Sequence, residues 1–373
     1  MSFRPHNKRT LGGFSLVELL VAMAIGLVLL TLLAVIFANA SRSQKEITLA
    51  AAQIENGRYA MDILSDDVHH AGYWGYYPGA TTLPGALPDP CSVNPAVLKT
   101  AMSIVVQGYN APIATLPSCL ASANYLAGTD ILVVRRASTA ITAPAGSLQS
   151  GVVYVQASTS PTDPLNPVVA TNAGVNLPGT PGPFTACTGT PPTVSCTGTL
   201  TVRAGTGIGT LVAAPIRAYL VHTYFISPCS VPTGAGTPAV CTPSDDGGAP
   251  IPTLNRLTVD SAGAVTITPL AEGIENLQVD YGVDTDADGS PDGAAYVAVP
   301  GTGTVADWQK VMALRLYVLS RNTQKSSDYT DNKTYALGTA GNITISGSAQ
   351  AYRRHVYTAV VRVKNQSERL ETP

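Results

Sequence analysis

Polar and apolar positions divide the chain into three parts with different periodicity. Residues 14–40 are almost uniformly apolar, and Glu18 is the single charged residue among them. As an α-helix, this run would be about 40 Å long at ~1.5 Å per residue. The hydrocarbon of a bilayer needs only about 20 residues. The pattern therefore predicts one membrane-spanning helix.

The helical periodicity continues beyond residue 40 but becomes amphipathic. We expect residues 41–72 to bury an apolar stripe against a sheet of the same chain and to end near Gly72, since glycine favours helix termination. Gly57 and Arg58 interrupt the stripe. Its apolar members recur at spacings of three and four: Ile47, Ala51, Ile54, Met61, Leu64 and Val68.

Residues 73–373 have the pattern of a β-rich domain, with short period-2 runs separated by turns. A loop-rich insert, rich in Gly, Pro and Thr, is expected at about residues 141–210. The fold class is thus predicted as α+β, a long N-terminal helix packed on an antiparallel β-sheet domain with long loops. The expected strands are residues 103–106, 130–136, 152–156, 216–226, 254–259, 265–270, 273–282, 311–319 and 356–363.

Three interpretations compete for the N-terminus. A secretory signal peptide has a shorter apolar region followed by a small-residue cleavage site, whereas here Gly12 and Gly13 precede the run. A plain membrane anchor leaves Glu18 unexplained, because a carboxylate in a membrane is costly and normally has a partner. Cleavage after Gly13 explains both features, since the new α-amine of Phe14 lies four residues from Glu18 and can pair with it, in the same chain or in a neighbouring copy.

Two stretches carry a family resemblance. Residues 13–20 (GFSLVELL) resemble the class III signal of type IV pilins and type II secretion pseudopilins. Residues 273–282, Trp308, 311–321 and 353–365 resemble the C-terminal half of PilW-type minor pilins, and J-type pseudopilins have a similar layout. The region from about 78 to 210 lies outside the resemblance.

The resemblance implies a pilin-like fold and a defined maturation. Residues 1–13 would be a leader that holds the precursor in the inner membrane, with its basic residues in the cytoplasm. A prepilin peptidase would cut between Gly13 and Phe14 and N-methylate Phe14. The spanning helix would then leave the bilayer for the fibre, where Glu18 neutralises the amine of an adjacent subunit.

The implied function is that of a minor pilin, which primes or caps a type IV pilus near its tip and supports twitching motility, adhesion or DNA uptake. Its implied partners are other minor and major pilins, the prepilin peptidase, the inner-membrane assembly platform and a tip adhesin. The protein would move from the inner membrane to the periplasm and the pilus tip. Two alternatives remain: a J-type pseudopilin of a type II secretion system, and a membrane-tethered module whose loop-rich region binds a surface ligand.

Charge and motifs argue against other functions. The net charge is −2 and only 12% of residues are charged, so general attraction to nucleic acid is not expected. The pairs Arg135–Arg136 and Arg353–Arg354 are interpreted as solvated strand faces rather than as a DNA-binding site. No nucleophile–base pattern is present, and GxSxG and HExxH are both absent. The sequence predicts no enzyme.

The cysteine count is even, which suits an oxidising compartment. No CxxC pair occurs, so structural disulfides are favoured over zinc. Six cysteines allow 15 connectivities, and pairing in sequence order is the hypothesis adopted here: Cys91 with Cys119, Cys187 with Cys196, and Cys229 with Cys241.

One acidic loop is a candidate calcium site. Asp284, Asp286, Asp288 and Asp292 occupy positions 1, 3, 5 and 9 of an EF-hand-type loop, with Gly289 at position 6. Position 12, which normally supplies a bidentate Glu, is alanine. The alternative is a solvated acidic turn between two strands.

Overall fold

The computed structural model describes residues 13, 15–75, 77, 83–142, 148–157, 167–171, 201–203, 211–293 and 295–371. The chain divides into two compact units, residues 1–51 and 52–373. The longest element, helix α1, runs from Leu16 to His70 and contributes residues to both units.

In the first unit, the described residues from Leu16 onward form the N-terminal part of α1. Its large apolar side chains from Leu16 to Phe37 are all more than half exposed. The helix is long and apolar enough to cross a membrane, with a mean hydropathy of 3.0 in its most apolar window.

The second unit contains the remaining elements. Its helices are the end of α1, α2 (Pro95–Ala101), α3 (Asp245–Gly248), α4 (Val305–Trp308) and α5 (Lys364–Glu371). Its strands are β1 (Val106–Tyr109), β2 (Ile131–Ala137), β3 (Val153–Gln156), β4 (Val168–Thr171), β5 (Thr201–Arg203), β6 (Leu211–Ala213), β7 (Ile216–Ser227), β8 (Thr253–Val259), β9 (Val265–Glu272), β10 (Ile274–Val283), β11 (Val311–Arg321), β12 (Thr334–Ala336), β13 (Asn342–Thr344) and β14 (Arg354–Arg362).

These strands form two main antiparallel sheets. A seven-stranded sheet has the path β1-β2-β7-β3-β4, and β8 joins it between β7 and β9. A three-stranded sheet has the order β10-β11-β14. Two hairpins, β5–β6 and β12–β13, complete the described strands. The predicted α+β class with an antiparallel β domain is confirmed, but the strands are divided between two sheets where one was expected.

The main hydrophobic core lies where α1 packs on these sheets. Ala60, Leu64 and Val68 of α1 are fully buried and belong to the same hydrophobic cluster as Leu316 and Val318 of β11. Burying one such aliphatic side chain contributes roughly 1.5–3 kcal/mol. The core thus fixes the C-terminal half of α1 to the β domain.

The predicted apolar stripe of α1 was only partly right. Ile47 and Ile54 are 61% and 50% exposed, although Met61, Leu64 and Val68 are buried. The buried face instead repeats with helical spacing through residues of mixed chemistry: Gln53, Gly57, Ala60, Met61, Leu64, Asp67 and Val68.

Gly57 lies on this buried face because the helix comes very close to β14 there. A Cβ at position 57 would lie 2.7 Å from Cζ and 2.8 Å from Cδ2 of Tyr357. Gln53, one turn earlier, donates from its side-chain amide to the carbonyl oxygens of Ser320 (3.0 Å) and Arg353 (3.1 Å). Polar and small residues therefore make contacts that apolar periodicity cannot reveal.

Two smaller expectations also need correction. The strand predicted at 103–106 is displaced, and β1 begins at Val106, because Ser103 and Ile104 still donate to the carbonyls of Thr100 and Ala101 at the end of α2. The expected loop-rich insert contains β3, which pairs with β7. Much of the insert lies outside the described residues.

Candidate functional site

The first turn of α1 holds Glu18 in a defined position. The backbone N–H of Ser15 donates to Oε2 of Glu18 at 2.9 Å, and the N–H of Val17 donates to Oγ of Ser15 at 3.3 Å. A Ser followed three residues later by a Glu is the capping-box pattern, and each side chain here satisfies a backbone donor at the helix start. Glu18 is exposed, as is Gly13. Phe14 lies outside the described residues.

This geometry places a carboxylate at the positive end of the helix dipole, which favours negative charge. The charge also stands at the start of the exposed apolar segment and four residues after position 14. Chemically, this arrangement positions an exposed carboxylate that can form an ion pair with a cation near the N-terminus.

A buried polar cluster connects the last turns of α1 to the seven-stranded sheet. Asp67 is 3% exposed. Its Oδ1 accepts from Nε of Arg136 at 2.6 Å, and its Oδ2 accepts from the hydroxyl of Tyr224 at 2.8 Å. Nδ1 of His222 lies 2.8 Å from the same Oδ2. One carboxylate thus joins α1 to β2 and β7.

The charge of Asp67 is stabilised despite its burial. Desolvation by burial raises the pKa of the carboxyl, but the hydrogen bond and charge of His222 and the charge and hydrogen bond of Arg136 outweigh it. The pKa of Asp67 falls to about 2. Sequence reasoning missed this cluster. Its only signal was an acid at helical spacing from Gly57, Ala60 and Leu64.

A second buried network lies at the end of the three-stranded sheet. Arg354 of β14 has a fully buried side chain and is ion-paired with Asp331 at 3.0 Å and with Glu275 of β10. The hydroxyl of Tyr335 donates to Oδ2 of Asp331 at 2.8 Å. These bonds hold β10, β14 and the segment leading to the β12–β13 hairpin together.

The arginine pairs are therefore not simply solvated strand faces. Arg135 is 1% exposed and donates to the carbonyls of Ile104 (3.0 Å) and Pro88 (3.1 Å) and to Oε1 of Gln107 (2.9 Å). Arg136 pairs with Asp67, and Arg354 is buried. Their neighbours in space supply acceptors that could not be read from the surrounding sequence.

The acidic loop between β10 and α4 brings three of its four predicted carboxylates together. Oxygen atoms of Asp284, Asp286 and Asp292 all lie within 4.8 Å of one another. Asp288 is not part of that group, and its Oδ1 accepts from the N–H of Ser290 at 2.7 Å. Gly289 makes the sharp turn with a φ of 85°.

Backbone N–H groups of the loop stabilise one of its carboxylates by hydrogen bonds. Asp284 is buried and accepts from the N–H groups of Ala287 (2.7 Å) and Gly289 (2.8 Å). The pKa of Asp286 is raised, first by desolvation and then by the charges of Asp288, Asp292 and Asp284. Crowded acidic oxygens of this kind are the ligands that calcium prefers.

The disulfides form in sequence order where the structure describes them. Cys91 pairs with Cys119, and Cys229 pairs with Cys241. Each closes a local segment of the second unit. Cys187 and Cys196 lie outside the described residues.

Comparison with known protein families gives one match near the N-terminus of the chain and one in its C-terminal part. Residues 9–34 match the family model described as the prokaryotic N-terminal methylation motif. Residues 241–365 match the model described as type IV pilus-assembly protein W. No curated protein and no solved structure matches the chain.

The long apolar helix, the antiparallel β domain packed on its second half and the methylation motif define a type IV pilin-like protein, and this class is structural. Before assembly, such a chain is anchored in the inner membrane by a single span. Within this class, the match over residues 241–365, together with the methylation motif, supports a PilW-type minor pilin of a type IV pilus.

Proposed function

We propose that the protein primes or caps type IV pilus assembly near the tip, together with other minor pilins. The observation that carries this proposal lies at the start of α1. The carboxylate of Glu18 accepts a backbone hydrogen bond there, and an exposed apolar helical segment follows it. An exposed apolar surface of this size must be covered by lipid or by other apolar helices. In a pilin, this surface contacts lipid before assembly and the helices of other subunits after it.

In this proposal, maturation supplies a cation that can pair with the carboxylate of Glu18. A prepilin peptidase cuts between Gly13 and Phe14, and the amine of Phe14 becomes a methylated cation. Within a fibre, the carboxylate of Glu18 pairs with such an amine on an adjacent subunit. The attraction is strong there because the effective dielectric of an apolar helix bundle is low.

Two substitutions separate the charge of Glu18 from its capping role. Glu18→Gln keeps a carbonyl oxygen that can accept from the N–H of Ser15 but removes the charge, whereas Glu18→Val removes both. We expect both variants to be processed normally but to be recovered from sheared fibres at a level at least about tenfold lower, which corresponds to ~1.4 kcal/mol. Immunoblotting of the sheared and membrane fractions measures the distribution.

N-terminal sequencing of the recovered protein provides the control, since wild type and both variants should begin at position 14. If Glu18→Gln assembles like wild type while Glu18→Val does not, capping is the function of this residue and the charge-pairing mechanism is wrong. Wild-type incorporation of both variants would refute both roles.

The match to a pilus-assembly family favours a pilus over a secretion machine as the destination. Deletion of the gene is expected to abolish surface pili and twitching motility while secretion continues. The reverse result would support the J-type pseudopilin alternative. Normal pili with lost adhesion would support the surface-binding module.

We also propose that the acidic loop binds calcium through Asp284, Asp286 and Asp292. The convergence of three carboxylates and the sharp turn at Gly289 support it. The missing acid at position 12 argues for weak affinity, on the order of 10⁻⁴–10⁻³ M as in extracellular modules.

Calorimetry tests calcium binding. The wild-type protein in detergent is expected to release or absorb heat upon titration with millimolar calcium, and the variant Asp286→Asn/Asp292→Asn is expected to lose that heat. Asp62→Asn, which removes an exposed carboxylate of α1, is the matched control and should titrate like wild type. Absence of heat in the wild-type protein would leave the loop as a solvated acidic turn.

A further inference from the structure

A cavity of about 240 Å³ lies between the seven-stranded sheet and the segment 229–241, which the disulfide Cys229–Cys241 closes. Phe225 of β7 and Asn255 of β8 line it from the sheet and are 0% and 4% exposed. Pro232 and Pro238 line it from the disulfide-closed segment. Its inner surface is therefore almost completely shielded from solvent.

The disulfide-closed segment is held in place by polar contacts near both of its ends. Asn124, which is buried, donates to the carbonyl oxygen of Ala239 at 3.0 Å and accepts from the N–H of Cys241 at 2.8 Å. Asp246 accepts from the N–H and the hydroxyl of Ser230 at 2.9 Å and 2.7 Å. The cavity is thus formed before any ligand arrives, and a preformed site loses less free energy to ordering when it binds.

The lining determines the kind of ligand that the cavity can hold. Most of its side chains are apolar, and no described residue that lines it carries a charge. An ionised ligand would be buried there without a partner, which is costly. An engineered apolar cavity of about 150 Å³ binds benzene, so this larger cavity has room for one small aromatic ring system.

Asn255 offers this cavity one hydrogen-bond acceptor. Its amide nitrogen donates to Oγ of Ser227 at 2.7 Å and to the carbonyl oxygen of Thr253 at 2.9 Å. Because a backbone carbonyl only accepts, the second bond fixes the orientation of the amide. Oδ1 of Asn255 accepts no hydrogen bond from the described residues, although the residue is buried. A buried acceptor without a partner is costly, so a ligand that donates to it gains affinity.

We propose that this cavity binds a free, neutral, small aromatic molecule with one N–H or O–H donor, of the size of phenol or indole. The ring packs against Phe225 and the prolines, and its donor bonds to Oδ1 of Asn255. The volume is too small for an extended polypeptide segment, and the uncharged lining excludes ions. Enclosure between the sheet and the disulfide-closed segment favours a free molecule over a side chain that stays attached to a partner's backbone.

Calorimetry with indole tests the site. Indole is titrated into the full chain in detergent, for wild type and for Ala239→Trp, whose new side chain fills the cavity that Ala239 lines. We expect the substitution to weaken binding at least about tenfold. Ala235→Trp is the matched control, because Ala235 is exposed, lies in the same segment and does not line the cavity. It should bind like wild type, and partitioning of indole into the micelles is the same for all three proteins.

A second ligand tests the role of Asn255. Benzofuran has nearly the shape of indole but no donor, so wild type should bind indole about fivefold more tightly, as one hydrogen bond predicts. Asn255→Leu should bind both ligands equally, an outcome that a merely structural role would not produce. Should Asn255→Leu fail to accumulate, the preference of wild type for indole still tests the donor.

Labelling with a photoreactive indole distinguishes a free ligand from a side chain of another subunit. Peptides from the disulfide-closed segment should be labelled in sheared fibres as well as in the solubilised protein. Labelling of the solubilised protein alone would overturn the assignment in favour of a neighbouring subunit's aromatic side chain. Equal affinity of wild type and Ala239→Trp for indole, or no heat with wild type, would overturn the site. Equal affinity of wild type for indole and benzofuran would overturn the donor requirement.

Discussion

Gly57 shows how much can depend on the absence of one side chain. In the sequence it interrupts an apolar stripe, and its helix propensity is about 1 kcal/mol worse than that of alanine. In the structure it lets α1 approach β14 so closely that the ring of Tyr357 lies where a Cβ would be. The hydroxyl of Tyr357 then reaches the carbonyl of Ile54 at 3.3 Å.

A double-mutant cycle tests this contact. Gly57→Ala alone is expected to destabilise the protein by about 1–2 kcal/mol, because overpacking costs roughly 1–3 kcal/mol and the gain in helix propensity offsets part of it. In a Tyr357→Ala background, the same substitution should stabilise the protein. Urea unfolding of the detergent-solubilised protein measures the four free energies. Stabilisation by Gly57→Ala in both backgrounds would show that the ring moves away without cost.

The candidate sites were also only partly predictable from single residues. Spacing placed Asp284, Asp286 and Asp292 in one loop, and the structure brings their oxygens together. Calcium binding itself stays a prediction, as do the roles of Gly13, Phe14 and Glu18 in processing and assembly. The structure adds the bond between Ser15 and Glu18, which the sequence shows only as a spacing of three.

At the scale of elements, the helix and the longest strands were predictable and their partners were not. The apolar run fixed the start of α1, and alternating runs identified β7, β10, β11 and β14 to within a few residues. Period-2 patterns say which face of a strand is buried but not which strand lies beside it. The division into two sheets was therefore beyond the sequence.

The two halves of α1 differ in what they bury. The first half exposes its apolar side chains, whereas the second buries a face that includes Gln53, Gly57 and Asp67. Hydrophobic periodicity identified both as helix but assigned the wrong residues to part of the buried face. A polar residue on such a face forms hydrogen bonds with a strand that is distant in sequence, so no local pattern predicts its burial.

At the scale of the whole molecule, the second unit is held together by buried charges as well as by its apolar core. Asp67 joins α1 to β2 and β7 through Arg136, His222 and Tyr224. Arg354 joins β14 to Glu275 and Asp331. The disulfides Cys91–Cys119 and Cys229–Cys241 add local closures in two other loops.

The Asp67 cluster gives a prediction for stability. Asp67→Ala should lower the free energy of unfolding by about 3–5 kcal/mol at neutral pH, since it leaves the buried partners of a charge unpaired. Asp66→Asn, one position earlier and exposed, is the matched control, and its surface pair with His70 should contribute less than about 1 kcal/mol.

The same carboxylate gives a dependence on pH. The pKa of Asp67 is lowered from 3.8 to about 2 in the folded protein. Its contribution is therefore fully present above about pH 4 and is lost as the pH falls towards 2. Denaturant unfolding from pH 5 to pH 2 should show a steeper loss for wild type than for Asp67→Ala. Parallel curves would show that the pKa of Asp67 is the same in the folded and the unfolded protein, and a shallower loss for wild type would show that it is raised.

The sequence by itself determined the membrane-spanning helix, the maturation motif, the α+β class and most of the long strands, because these depend on local composition and periodicity. Only the tertiary structure decided which strands pair and which polar residues are buried. Those properties depend on contacts between residues far apart in the chain, such as Asp67 with His222 or Gly57 with Tyr357. The sequence does not distinguish a buried charge from an exposed one, because burial depends on residues that are near in space and distant in the chain.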